Sequence, residues 1–121
     1  MIHEELLRDR GILIITPQGP LEESDFVLLA REIDPYLEEK GTLRGLMIYA
    51  KEFPGWNDFG ALVSHLKFVR NHEQFIRRIA TVSDSTILTI MPQIAAHFIH
   101  AEVRHFDFDD RDAALAWLGG E

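Results

Sequence analysis

Apolar positions along this chain follow two periods, and the switches between them mark the elements. Ile2 to Arg8 alternates as a short, polar-edged strand, Asp9-Arg10-Gly11 forms a tight turn, and Ile12-Leu13-Ile14-Ile15 makes a second strand. So short a link predicts an antiparallel hairpin. Gly19-Pro20 ends the second strand. From about Glu22 to Lys40 the period changes: Phe26, Leu29, Ala30, Ile33 and Leu37 recur at helical spacing and form one apolar stripe. The acidic first turn suits the positive end of the helix dipole, and Gly41 suits a left-handed stop. Pro35 is expected to bend the helix or divide it after Ile33.

Gly45 to Ala50 is a continuous apolar run, as in a strand covered on both faces. Pro54-Gly55 marks a turn, and Asn57 or Asp58 can cap the next helix. That helix is expected to end near His72 and to turn Phe59, Leu62, Val63, Leu66 and Val69 towards the core, with Phe68 off the stripe. Ile79 to Val82 reads as a fourth strand, Thr86 to about His97 as a third helix interrupted by Pro92, and Glu102 to Phe106 as a fifth strand. A last helix starts near Asp109 and stops at Gly119-Gly120. The order β-β-α-β-α-β-α-β-α predicts an α/β fold: a mixed five-stranded sheet with the first strand antiparallel, the others mainly parallel, and four major helices.

The order and spacing of several segments resemble the SpoIIAA-like family, relatives of the STAS domain. The segments are Gly19-Pro20-Leu21 with Asp25-Phe26, Gly45-Leu46-Met47-Ile48, Arg78-Ile79-Ala80-Thr81-Val82, Ala101 to Phe106, and Ala113 to Leu118. The resemblance implies a succession of right-handed βα units, shared in outline with the CRAL-TRIO lipid-binding domain. Fold kinship alone does not transfer function, and the expectation weighed from the residues is a non-enzymatic binding or regulatory module. Domains resembling the anti-sigma-factor antagonist carry a phosphorylated serine where this chain has Phe53 to Gly60, and no serine or threonine lies between Lys51 and Val63. The phosphoserine switch is therefore not expected.

Composition narrows the function. The 121 residues suit one domain spanning 1–121, and 12 Lys+Arg against 20 Asp+Glu give a net charge of −8, which disfavours nucleic acid as a partner. The absence of cysteine excludes disulfides and thiolate chemistry. No signal pattern or long apolar run is present, so a cytoplasmic location, peripheral at most to a membrane, is expected. Nucleotide-binding glycine loops, a Gly-x-Ser-x-Gly elbow and metal-ligand spacing are absent too, and no cofactor, metal or catalytic residue is expected.

Charge is uneven along the chain. Residues 61–106 hold five Lys+Arg against three Asp+Glu, whereas residues 1–60 hold six against twelve. Lys67, Phe68 and Arg70 are the candidate membrane or partner surface. The third helix carries two stripes, Ile87/Met91/Ile94/Phe98 and Leu88/Ala95/Ile99, so it is either buried on two sides or turned partly towards a ligand, membrane or partner. Phe53, Trp56 and Phe59 are spaced by three around Pro54-Gly55. Three aromatics in one loop must cover something, and the expectation is an apolar pocket shared with Ser85, Leu88 and Met91. The partners that follow are an apolar, lipid-like molecule or a membrane surface, with a regulatory protein or a second copy of the chain as the alternative.

Overall fold

The computed structural model describes residues 1–120. In chain order the elements are β1 (Ile2–Leu7), β2 (Ile12–Pro17), α1 (Glu23–Lys40), β3 (Leu43–Tyr49), α2 (Phe59–His72), β4 (Ile76–Val82), α3 (Thr86–Ala95), β5 (Glu102–Phe106) and α4 (Arg111–Leu118). Short 3-10 turns at Glu73–Phe75 and Phe108–Asp110 precede β4 and α4. The strands lie side by side in sequence order, with β1 antiparallel to β2 and all later pairs parallel. Fold class and element order are as the patterning predicts.

Local chemistry explains the breaks. At the hairpin, the N–H groups of Arg10 and Gly11 both donate to the Leu7 carbonyl, and Gly11 takes a positive φ of 69° that a side chain would strain. α1 opens where the Asp25 carboxylate accepts the Glu22 backbone N–H at 2.9 Å, and it closes where Gly41, at φ 84°, donates to the Leu37 carbonyl. Pro35 does not divide α1, which runs unbroken for 18 residues; the proline sits on the exposed side. α3 stops two residues short of the expected His97, in turns that donate to the Pro92, Ile94 and Ala95 carbonyls.

Strands paired in sequence order with one hand of crossover place all their connecting helices on one face. The core divides accordingly. On one face Leu13, Leu46 and Ile79 of the sheet meet Leu29, Ile33 and Tyr36 of α1, with Phe68 of α2 and Ile99 packed against them. On the other face Ile12, Ile14, Met47, Ala80 and Val82 are covered by α4 through Ala114 and Leu118. Gly45, in mid-β3, lets α4 come close: a β-carbon there would lie 2.8 Å from the Leu118 Cβ.

Candidate binding surface

α2 faces the core with a different side from the one its apolar pattern suggests. Ala61 is fully buried and His72 nearly so, and between them His65 and Phe68 stack inward. The Phe26 and His65 rings lie 4.9 Å apart and close to parallel, and Phe68 stacks on His72 at 4.1 Å. Phe59 and Leu66, expected in the core, are instead 77% and 61% exposed. Close approach explains the rotation. Among helix pairs α1 and α2 make the most extensive contact, and small residues such as Ala61 let two helices draw together, whereas a Phe59/Leu66 ridge would hold them apart. This corrects the placement of Phe68, which packs against the core, while Lys67 and Arg70 beside it are exposed.

The aromatic loop is anchored on the α1–α2 side. Trp56 pairs with Leu21, just before α1, in a short parallel bridge: Leu21 N–H donates to the Gly55 carbonyl and Asn57 N–H to the Leu21 carbonyl, both at 2.8 Å. The Trp56 indole N–H donates to His65 Nδ1 at 3.0 Å, and Phe53 meets the Trp56 ring edge-on at 5.0 Å. That bond places the His65 proton on Nε2. Burial pushes the His65 imidazole down to about 4 from an ordinary 6.5. Trp56 and Phe53 are partly accessible and Phe59 points outward. The contacts that hold these rings thus run to α1 and α2. Two surface clefts, one bordered by Arg44 and one by His72, are lined by other residues.

At the start of α3, Ser85 and Leu88 are buried and Met91 is partly exposed. Ser83 Oγ accepts the Ser85 N–H at 2.9 Å and donates to the Lys51 carbonyl at 3.1 Å, fastening the β3–α2 loop to the head of α3. Thr81 Oγ1 donates to the Leu88 carbonyl at 3.0 Å, which seats α3 on the same face as α1 and α2. Its two stripes have opposite fates. The Leu88/Ile99 side faces the core, while Ile87, Ile90 and Ile94 are 45–47% exposed and Phe98 is 78% exposed.

Three further histidines are held by contacts within the fold. His72 sits between the Phe68 carbonyl (2.8 Å) and an Asp34 carboxylate oxygen (2.7 Å), so neither ring nitrogen is left for a substrate, although the residue borders a cleft of about 480 Å3 with Leu37 and Phe75. His105 Nε2 lies 2.8 Å from the Ser83 carbonyl. His100 meets Glu73 through both its backbone N–H and its ring. Burial works to raise the Glu73 carboxyl, but the bonds from His100 and from the Ala101 backbone prevail and hold it below the usual carboxylate range. Among the described residues no group of three His, Asp or Glu could hold a metal ion. α2 opens on Asp58, whose carboxylate accepts the Ala61 N–H at 2.8 Å, and no phosphorylatable hydroxyl stands at that turn. No described helix is long and apolar enough to cross a membrane.

Comparison with known proteins agrees with this architecture. The SpoIIAA-like family profile matches residues 12–119, and the chain belongs to that family. Among solved structures, an uncharacterized protein of Shewanella loihica PV-4, described as having a SpoIIAA-like fold and belonging to the DUF3478 family, superposes with a TM-score of 0.71. The two share 24% sequence identity over 98% of this chain and 92% of the other. No curated protein matches the chain. The family and its fold support a regulatory or interaction domain.

Proposed function

We propose that this chain is a non-enzymatic binding module that docks peripherally on a lipid surface through the outward sides of α2 and α3. One observation carries the reading: five large apolar side chains on these two helices of one layer, Phe59, Leu66, Ile87, Ile90 and Ile94, and Phe98 in the turn after α3, stand 45–78% exposed. Isolated exposed apolar residues are ordinary, but a helical layer that shows this many marks an interaction surface. Lys67 and Arg70, exposed among them, add attraction to anionic headgroups of about 1 kcal/mol each. Ile15, Ile48 and Val103, on the helix side of the sheet, are incompletely covered, which favours an acyl chain as the apolar ligand. Phe53, Trp56, Phe59 and Met91 are the accessible members of the expected ligand set.

Co-sedimentation with phosphatidylcholine–phosphatidylserine vesicles tests this. The wild-type chain pellets with the vesicles, Phe59→Ser/Phe98→Ser does not, and Lys67→Glu/Arg70→Glu weakens binding and flattens its salt dependence. Trp56 fluorescence shifts on vesicle addition, with Trp117 on α4 as the unresponsive reference. A chain that ignores vesicles but forms a dimer or protein complex, abolished by Phe59→Ser/Phe98→Ser, would replace the lipid surface with a protein partner.

A further inference from the structure

Away from this helical face, at the end of the sheet where β3 and β4 begin, the chain folds a cationic cleft of about 300 Å3. Its charged lining is Arg8 and Arg10 from the β1–β2 turn, Lys40 from the end of α1, Arg44 from β3, Arg77 from β4, and Asp9. Five cations against one carboxylate leave four net positive charges here, on a chain whose total is −8. Among the described residues Arg8, Arg10, Arg44 and Arg77 form no salt bridge, and Lys40 reaches only its neighbour Glu39, at 3.8 Å. All five are exposed and converge from four separate elements.

Like charges repel, so collecting them without carboxylate partners is unfavourable to the empty fold. Surface cations elsewhere on an acidic chain are normally dispersed among Asp and Glu. The cleft wall also carries hydrogen-bonding groups: Thr42 lines it, and so does Tyr36, whose residue is 5% exposed overall. Gly11 makes room for the Tyr36 hydroxyl, since a β-carbon at Gly11 would stand 3.1 Å from that oxygen. The carboxyl end of α1 contributes partial negative charge at this rim, so attraction for an anion comes from the side chains and not from a helix dipole.

We infer that this cleft binds a ligand carrying two adjacent phosphate groups. An organic diphosphate carries about three negative charges at neutral pH and two neighbouring monoesters close to four, so either offsets most of the net charge of the lining. Guanidinium groups match phosphate oxygens with paired, planar donors, and four of the five cations are arginines. A cleft of this volume holds a diphosphate with its first substituent. The same chemistry occurs in soluble diphosphates and in a polyphosphorylated lipid headgroup.

Calorimetric titration of the full chain with inorganic pyrophosphate tests the site, with orthophosphate as the weaker ligand. Arg44→Gln and Arg77→Gln each reduce pyrophosphate affinity about tenfold. Arg31→Gln, an equal charge change on α1 outside the cleft lining, leaves it within about twofold. All three side chains are exposed, so the variants keep the fold. Absence of binding by about 1 mM pyrophosphate, or equal losses in Arg44→Gln and Arg31→Gln, overturns the inference. A second arm names the source: vesicles containing phosphatidylinositol bisphosphate, competed by pyrophosphate and lost in Arg44→Gln/Arg77→Gln, point to a headgroup. Pyrophosphate binding without that vesicle binding points to a soluble diphosphate. Loss of the Phe59/Phe98 surface leaves pyrophosphate binding intact, so this site and the lipid-docking face fail separately.

Discussion

Acidification from pH 7 to pH 4 removes about 3 kcal/mol of stability through His65 alone. The folded chain holds this imidazole at about 4 and the unfolded chain releases it to 6.5. Between those values the unfolded state binds a proton that the folded state refuses, so stability rises with pH through the window. The contribution is complete above 6.5 and declines as pH falls towards 4. Protonating Nδ1 also abolishes its acceptor role towards the Trp56 indole at 3.0 Å, so the loss of stability carries an optical signature. The measurement is a set of urea midpoints at pH 7, 5.5 and 4, followed by Trp fluorescence. His65→Phe keeps an aromatic ring on Phe26, loses about 1 kcal/mol at pH 7 from the unpaired indole N–H, and flattens the slope across the window. Equal pH slopes in the wild type and this variant would show that His65 does not carry the effect. Glu73, held below its ordinary range, acts in the same direction at lower pH.

The second large effect lies on the opposite face. Leu118→Ala loses about 3 kcal/mol, because the side chain is fully buried against β3 and its removal leaves a cavity. Gly45→Ala alone loses about 1–3 kcal/mol, since its new methyl would stand 2.8 Å from Leu118 Cβ and 2.9 Å from Cδ2. Combined, the methyl is freed of the Leu118 Cγ and Cδ2 contacts, while the 2.8 Å contact with Cβ, which alanine keeps, remains. The double variant is therefore more stable than the sum of the single losses predicts, by about 0.5–1 kcal/mol. Chemical denaturation of the four chains measures this coupling. Simple additivity would mean that α4 shifts away from β3 instead of packing rigidly on it.

Strands and helices were legible where one physical signal dominated. Glu102–Phe106 alternates cleanly, and both its bounds match the sequence reading. Gly45–Ala50 is apolar on successive residues because β3 lies between two neighbouring strands with helices on both faces. The orientation of α2 was not legible, because two effects compete on one helix. Its large apolar residues define one face, while Ala61 and the ring of His65 define another, and close packing on α1 selects the second. A histidine placed among aromatics by its neutral form carries no apolar signal of its own, so the Phe26–His65–Trp56 cluster was missed. Of the three aromatics expected to cover something, Phe53 and Trp56 pack on each other and Phe59 faces outward; the bridge partner of Trp56, Leu21, is distant in sequence and gives no pattern.

Charge counting along the chain shows a further limit. It placed the positive balance in residues 61–106, yet four of the five cations of the cleft come from residues 1–60, where acidic residues outnumber basic ones two to one. A linear window averages over side chains that the sheet separates. Arg8, Arg10 and Arg44 point to one rim, and the acidic residues that cancel them in the count lie mostly elsewhere.

The division of the core between three crossover helices and one final helix has a consequence for biosynthesis. Each βα unit pairs with the strand made just before it, so a growing chain can assemble its sheet in the order of translation. The face under α4 has no such supply: Ile12, Ile14, Met47, Ala80 and Val82 stay uncovered until residues 111–118 leave the ribosome. A stall or cleavage ahead of Arg111 therefore releases a sheet with one bare apolar side, a species suited to capture by chaperones or to aggregation, however complete its other layer is.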